Sequence, residues 1–474
     1  MSDQSELNIP LGSHVHFMGI CGTAMASLAG LLKDKGYTVT GSDTNPYPPM
    51  SVQLEKLGIS IMKGYVAKNL NPRPDFIIVG NVISKNFEEA LEMQTQNIPY
   101  TSLPKALGDL IIEDRESIVV CGTHGKTTTT SLAAWVGNQC GLKPGFLIGG
   151  IPKNFHRSFQ NPLGNYFVIE GDEYDTAFFD KVPKFVHYKP KHVILTSIEF
   201  DHADIYKDLN AVKEAFLKLM KLIPKEGHLI YCFGDKNIES LLPFCQAHKK
   251  LSYGIGSGDF SATVLLQNEN FTEFEVKRLG KVLGVFQVPL FGKYNVLNAL
   301  SVVALYHELQ MPVDLIQKAL LGFLGVKRRQ EVIGDVHGAV VVEDFAHHPT
   351  AVRETLAALK ERFSPKKIIA VFEPRSATSR RKVFQKDYAQ AFDPATEIII
   401  AKAYEQSKIS ESDRFSTAEL VDDLKAKNKQ AWEAAQVSEI VSHLKKTATS
   451  EHVIVIMSNG GFDNIYDKLL KNPS

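Results

Sequence analysis

The sequence predicts an α/β protein of parallel sheets flanked by helices, arranged as three domains. Short apolar runs alternate with helical patterns along the chain. Three stretches, near residues 14, 116 and 339, each run from a strand through a loop of small or polar residues into a helix. The length of 474 residues suits about three domains of ~150 residues each.

Composition narrows the function classes. Lys plus Arg and Asp plus Glu number 53 each, so no net field draws the chain to nucleic acid or an anionic membrane. Apolar residues make up 44% and charged residues 22%, as in a soluble globular protein. Cys21, Cys121, Cys140, Cys232 and Cys245 lack metal-ligand spacing and suit reduced thiols. The polar start MSDQSELNIPLGS has no signal-peptide core. No apolar run approaches the ~20 residues that span a bilayer. A cytoplasmic protein is expected, with neither nucleic acid nor membrane as partner and with a monomer favoured.

In the first unit, a strand at 14–18 leads into MGICGTAM, a helical pattern through Leu28, Leu31 and Leu32, and a second strand ending at Asp43. Further strands are predicted at 75–81 and 98–102. Gly19, Ile20, Gly22 and Thr23 suit a pyrophosphate at a helix N-terminus, with Asp43 as the acid further on. The Gly-x-Gly-x-x-Gly spacing is broken, which lowers the dinucleotide option and leaves a nucleotide-diphosphate sugar open. Asn81 ends a later strand.

The second unit opens on VVCGTHGKTTTT, residues 119–130. The usual P-loop glycine five residues before Gly125 is replaced by Val120. Even so, Gly122, Thr123, His124 and Gly125 bring an apolar strand to a helix start at Lys126, Thr127 and Thr128. Unpaired helix-start N–H groups bind phosphate, Lys126 can reach terminal phosphates, and the Thr127 hydroxyl can hold Mg²⁺. The bland alternative is a strand–turn–helix with a surface lysine. EGDEYD (170–175) lies at the end of a strand predicted at 166–173, with Asp172 and Glu173 as candidate metal acids. IEFDHAD repeats the pattern at the end of a segment over 192–204, adding His202. Helices are predicted over 208–222 and 292–310, with strands at 227–233 and 250–256 and a β-rich stretch over 260–290.

The third unit follows a basic break, GVKRRQE (325–331). EDFAHHPT places Asp344, His347 and His348 between a strand and a helix, with Pro349 in the first turn. The histidines suit polar contacts to a nucleotide or substrate better than a metal, for want of further ligands. Strands are predicted at 367–374, 397–403 and 452–461. FEPRSATSRRK brings Arg375 and Arg380 to a strand end, where guanidinium groups suit carboxylates. Arg381 and Lys382 look like a basic surface loop.

Together GTHGKTTT, EGDEYD, DHAD, GKYNVLNAL, VKRRQE and EDFAHHPT resemble the Mur ligase family of ATP-dependent amide-forming enzymes. GICGTAM…GSD is similar to the UDP-binding domain of its muramic acid branch. The family's shortened glycine loop accounts for Val120. The resemblance implies a Rossmann-like UDP-sugar-binding domain (1–112), a P-loop ATPase-type central domain (113–327) and a Rossmann-like C-terminal domain (328–474). It implies ATP and Mg²⁺, with a carboxylate taking the γ-phosphoryl group to form an acyl phosphate that an amine attacks. Lys126, Glu173, His202 and Arg329 would be catalytic, with Thr127, Glu173 and His202 holding metal. Asn295, supported by Asn298, would read adenine, and Asp344 would bind the ribose. A carbamylated lysine is not expected, because Phe216 stands where some relatives carry it.

UDP-N-acetylmuramate is the implied acid. For the amine, EPRSATS (373–379) departs from the Gln-Pro-His-Arg-Tyr-Thr-Arg of the alanine-adding branch. FEPRS, DEYDTAFFDKVPKFVHY and SNGGF resemble the branch that joins recycled L-Ala-γ-D-Glu-meso-diaminopimelate. Arg375, Ser376 and His348 are the expected acceptor contacts, and small residues at 376 and 377 leave room for a peptide. The alternatives are the L-alanine ligase, an NAD-dependent oxidoreductase, and a nucleotide-binding regulator without ligation.

Overall fold

The computed structural model describes residues 7–46 and 50–470. The first six residues of the polar N-terminal stretch and the last four of the chain lie outside the described residues.

The first sheet has five parallel strands in the order β3-β2-β1-β4-β5. They are β1 (His14–Met18), β2 (Thr38–Asp43), β3 (Ser60–Lys63), β4 (Phe76–Val79) and β5 (Tyr100–Ser102). β1 lies between β2 and β4, so the chain reverses its winding at the carboxyl end of β1. Gly19–Gly22 sit there, and helix Thr23–Lys35 starts from them. Leu28, Leu31 and Leu32 are fully buried, as the periodicity requires.

The second sheet has ten strands in the order β15-β14-β13-β12-β11-β10-β6-β9-β7-β8. Its first seven strands in the chain are β6 (Glu116–Cys121), β7 (Gly145–Leu147), β8 (Phe159–Gln160), β9 (Tyr166–Gly171), β10 (Pro190–Leu195), β11 (His228–Cys232) and β12 (Lys249–Ile255). β6 pairs in parallel with β9 on one side and β10 on the other. The loops after these three strands therefore emerge side by side at one edge. That register brings GTHGKT, EGDEYD and IEFDHAD together. The segment over 192–204 is strand only to Leu195; the rest is a loop that leads to Asp208, the cap of helix Leu209–Leu222. The β-rich stretch is an antiparallel meander: β13 (Phe260–Gln267), β14 (Thr272–Arg278) and β15 (Lys281–Val288).

Helix Lys126–Gln139 packs on helix Lys293–Glu308, where the Tyr306 hydroxyl donates to Ala133 O at 2.6 Å. Small Thr, Ser, Ala and Gly residues on the first helix permit this close approach, and both helices are almost wholly buried. This packing fixes the direction of the helix start at Lys126.

The third sheet has the order β16-β17-β21-β18-β19-β20. Its strands are β16 (Glu331–Val336), β17 (Ala339–Asp344), β18 (Lys367–Phe372), β19 (Glu397–Ala401), β20 (Gln430–Ala434) and β21 (His452–Met457). All pair in parallel except the β16–β17 hairpin, which the sequence did not reveal. β16 follows directly on the basic break and buries little, so it carries no apolar run. Helix Pro349–Arg362 starts with Pro349 in its first turn, and His348 caps it by accepting from Thr350 N. Among the described residues no helix is long and apolar enough to cross a membrane.

Candidate active site

The loop Gly122–Gly125 turns β6 into helix Lys126–Gln139. Gly125 has φ +81°, a conformation that costs a side chain dearly, and a Cβ there would lie 2.6 Å from Asn298 Oδ1. At Gly122 a Cβ would meet Thr196 Oγ1 at 2.2 Å. The loop is thus pressed between the β10 loop and helix Lys293–Glu308. Thr123 N donates to Ser197 O at 2.9 Å, and Thr196 Oγ1 donates to His124 O at 2.5 Å. No side chain caps the helix start, so its N–H groups remain available to an anion.

Lys126 lies across this start, 13% exposed, with Nζ 2.6 Å from Gly122 O and 3.2 Å from Glu173 Oε2. Burial opposes its charge, but Glu173 and then Asp172 outweigh burial and raise its pKa above the ordinary lysine value. Asp172 is itself held by Lys184 Nζ at 2.9 Å and by the Tyr174 hydroxyl at 2.9 Å. Burial resists its ionisation, yet Lys184 and Lys126 hold its pKa to about 2. Asp172 therefore anchors the loop, and Glu173, 2% exposed, faces the phosphate cradle. His202 Nε2 stands 3.5 Å from Glu173 Oε1, and the Tyr206 hydroxyl fixes Glu173 by donating to its carbonyl at 2.5 Å.

Thr127 Oγ1 donates to Glu170 Oε2 at 3.0 Å, and Arg329 Nη2 reaches the same hydroxyl at 3.4 Å. Glu170 is the penultimate residue of β9 and also accepts from Gly149 N at 2.6 Å. Burial and the neighbouring Asp172 raise its pKa. Sequence reasoning quoted Glu170 within EGDEYD but did not single it out; its place as the last polar residue of an apolar strand was the available signal.

The C-terminal domain closes over this edge. Asp201 Oδ1 accepts from Thr378 Oγ1 at 2.6 Å, Glu199 Oε2 accepts from Thr350 Oγ1 at 2.8 Å, and His348 Nε2 meets Phe200 O at 3.2 Å. His124 and His348 stack tilted, 4.7 Å between ring centres, and His124 Nε2 lies 3.3 Å from Glu199. Burial, then His124, lowers the pKa of His348 to about 4, so it is neutral near pH 7.

The remaining expected residues fall in different settings. Asn295 and Asn298 are buried and bonded to each other at 3.1 Å, directly behind Gly125. Both Asp344 oxygens accept from backbone, one from Gln330 N just before β16 at 2.7 Å and the other from Ala346 N of its own loop at 2.8 Å. Ser376 Oγ is turned into its loop and accepts from Ser379 N at 2.9 Å. Arg375 lies over the Tyr404 ring at 3.8 Å and pairs with Glu373 at 3.4 Å. In the first domain Asp43 binds Cys21 N at 2.9 Å, which brings it onto the Gly19–Gly22 loop; Gly19 N and Ile20 N are taken by Ser42 O. Helix Thr23–Lys35 starts without a side-chain cap, and Asn81 is exposed past the end of β4. Thr128 is buried as the third residue of the P-loop helix.

The arrangement gathers a buried ammonium, a guanidinium, several carboxylates and uncapped helix N–H groups around one edge of the second sheet. Such a site stabilises negative charge on a transferring phosphoryl group.

Residues 14–115 match the Mur ligase family catalytic domain, residues 120–306 the Mur ligase middle domain, and residues 328–460 the Mur ligase glutamate ligase domain. The UDP-N-acetylmuramate–L-alanyl-γ-D-glutamyl-meso-2,6-diaminoheptandioate ligase of Escherichia coli K12 is 40% identical over 96% of this chain and 97% of its own. A UDP-N-acetylmuramate–L-alanine ligase of Clostridium kluyveri is 32% identical over 94% of this chain and 95% of its own. The crystal structure of a murein peptide ligase from Psychrobacter arcticus matches with a TM-score of 0.74 at 35% identity, covering 97% of this chain and 98% of that one. With all three sheets matched and near full-length relatives on both sides of the alignments, the chain belongs to the Mur ligase family.

Proposed function

We propose that the chain is an ATP-dependent ligase that joins L-Ala-γ-D-Glu-meso-diaminopimelate to UDP-N-acetylmuramate, a step of peptidoglycan recycling. One observation carries this choice of acceptor: identity is 40% to the tripeptide ligase of E. coli and 32% to the L-alanine ligase of C. kluyveri, each over at least 94% of the chain.

The residues then take these roles. The units 1–112, 113–327 and 328–474 bind UDP-sugar, ATP and acceptor. Gly19, Ile20, Gly22, Thr23, Asp43 and Asn81 line the UDP-sugar site. Gly122–Thr128 cradle the ATP phosphates, and Lys126 exchanges Glu173 for a terminal phosphate oxygen. Arg329 approaches from the domain junction. Asn295 faces adenine, and Asp344 the ribose. The oxygens of Thr127 and Glu173 are the hard donors Mg²⁺ prefers, with His202 beside them, so these residues fit that ion. A bound Mg²⁺ would neutralise charge on the phosphate oxygens.

The muramoyl carboxylate takes the γ-phosphoryl group of ATP, releasing ADP. The acceptor amine then attacks the acyl carbon and phosphate leaves. Two anions must meet in the first step, and Lys126 and Arg329 lower that repulsion. Thr378–Asp201 and Thr350–Glu199 tie the third domain to the loop after β10, and closure of that domain over bound substrates would shield the acyl phosphate from water. Arg375, Ser376 and His348 lie on the acceptor side.

The test is ADP release with ATP, Mg²⁺ and UDP-N-acetylmuramate, with and without each amine. Stimulation by the tripeptide and not by L-alanine is expected, and chelation of Mg²⁺ should abolish it. Stimulation by L-alanine alone would overturn the proposed acceptor.

A further inference from the structure

A cleft of about 290 Å³ opens on the acceptor side of the site. Its walls include Asp204 from the loop after β10, Ala377, Arg380 and Arg381 from the loop after β18, and Glu405 and Lys408 from the loop after β19. The volume is close to the lower range of small-molecule sites, about 300 Å³.

Its position ties it to the reaction. Asp204 is two residues beyond His202, a span of at most ~7 Å. Ala377 adjoins Thr378, whose hydroxyl is bonded to Asp201 at 2.6 Å. An extended tripeptide spans about 10 Å, so an acceptor whose amine is at the phosphoryl site reaches this cleft with its far end.

Its charge is mixed. Arg380 is committed to backbone, with Nε donating to Ser376 O at 3.2 Å and Nη1 to Glu405 O at 2.5 Å. Arg381 differs: its Nε is buried with no hydrogen-bond partner among the described residues. A buried N–H of a charged group is costly unless something supplies an acceptor. Arg381 is thus no solvated surface arginine, contrary to what its basic run suggested. Lys408 adds a second cation, and Asp204 and Glu405 add carboxylates.

We infer that this cleft binds the outer end of a diaminodicarboxylate residue, the third residue of the acceptor, with Arg381 and Lys408 on its outer carboxylate and Asp204 and Glu405 facing its outer ammonium. The inference rests on the proposed peptide acceptor. Once the inner amine of 2,6-diaminoheptandioate is in the peptide bond, its far carbon bears one ammonium and one carboxylate. That pair matches the two signs of charge in the cleft. A lysine at the same place keeps the ammonium and lacks the carboxylate, so Arg381 discriminates between the two.

The test measures kcat and KM for ADP release with L-Ala-γ-D-Glu-meso-diaminopimelate and with L-Ala-γ-D-Glu-L-Lys, in the full chain and in Arg381→Gln and Lys408→Gln. The full chain should favour the diaminopimelate peptide at least about tenfold in kcat/KM, the loss of one charge-assisted bond. Each variant should raise KM for that peptide several-fold, keep kcat, and leave the lysine peptide unchanged. Equal effects on both peptides, or none, in the more exposed Lys408→Gln as well as in Arg381→Gln would overturn the cleft assignment while the acceptor proposal stands. Absence of stimulation by either peptide in the full chain would overturn the acceptor proposal and the cleft with it.

Discussion

Replacing Gly125 with alanine tests whether the shortened P-loop is held in shape by packing. Gly125 has φ +81°, and its added Cβ would lie 2.6 Å from Asn298 Oδ1. The left-handed conformation costs a non-glycine residue roughly 1–2 kcal/mol. Overpacking against a buried side chain adds about 1–3 kcal/mol. Asn298 cannot simply swing away, because it is buried and donates to Asn295 Oδ1 at 3.1 Å. Gly125→Ala should therefore lose about 2–5 kcal/mol. Gly141 provides the control: it has φ +82° with nothing within 4 Å of an added Cβ, so Gly141→Ala carries the conformational cost alone. Thermal melting should separate the two variants by several degrees, at about 2–4 °C per kcal/mol for a domain of this size. In ADP-release kinetics Gly125→Ala should also raise the KM for ATP at least about tenfold, equivalent to ~1.4 kcal/mol of binding. Equal melting losses for the two variants, with an unchanged KM for ATP, would refute the packing argument.

Lys126→Met should reduce ADP release about 10²–10³-fold, the scale for losing one charged donor at a transition state, with far-UV circular dichroism confirming the fold. Glu89→Ala should cost about 3–5 kcal/mol in urea unfolding, because it strips partners from two buried groups: His16 Nε2 at 2.9 Å and Ser42 Oγ at 2.7 Å. His228 adjoins His192 on the neighbouring strand, Nδ1 to Nδ1 at 2.9 Å, and burial followed by that neighbour lowers its pKa from 6.5 to about 4. The unfolded chain then takes up the proton first. The stability due to neutral His228 is complete above pH 6.5 and is lost progressively as the pH falls to about 4. The loss is at most about 3 kcal/mol. Urea midpoints measured across that range should fall with pH, and more shallowly in His228→Gln; identical slopes would exclude His228 as the source.

The fold was largely legible because its signals are local. Apolar strands, glycine turns and helix starts read directly from residues 14–43, 116–139 and 339–362. The β16–β17 hairpin escaped, since a half-exposed edge strand beside a basic loop has no apolar run to mark it. That the candidate site's loops adjoin was legible for the same local reason, because loops at the carboxyl ends of neighbouring parallel strands converge. What sequence could not provide was the partner of each acid. Glu170, Asp172 and Glu173 lie within four positions of one another, yet one meets Thr127, one Lys184 and one Lys126. Thr127 and Lys126 stand on helix Lys126–Gln139 and Lys184 lies beyond the loop that follows β9, so nothing in the spacing of EGDEYD could assign them. Arg381 shows the same limit from the other side. Four residues of its run, Ser379–Lys382, are polar or basic, and only tertiary packing buries its Nε beside the cleft shared with Asp204 and Glu405. In this architecture strand order decides where chemistry can occur, and the long-range pairings decide which of several equivalent charges remains free for a ligand.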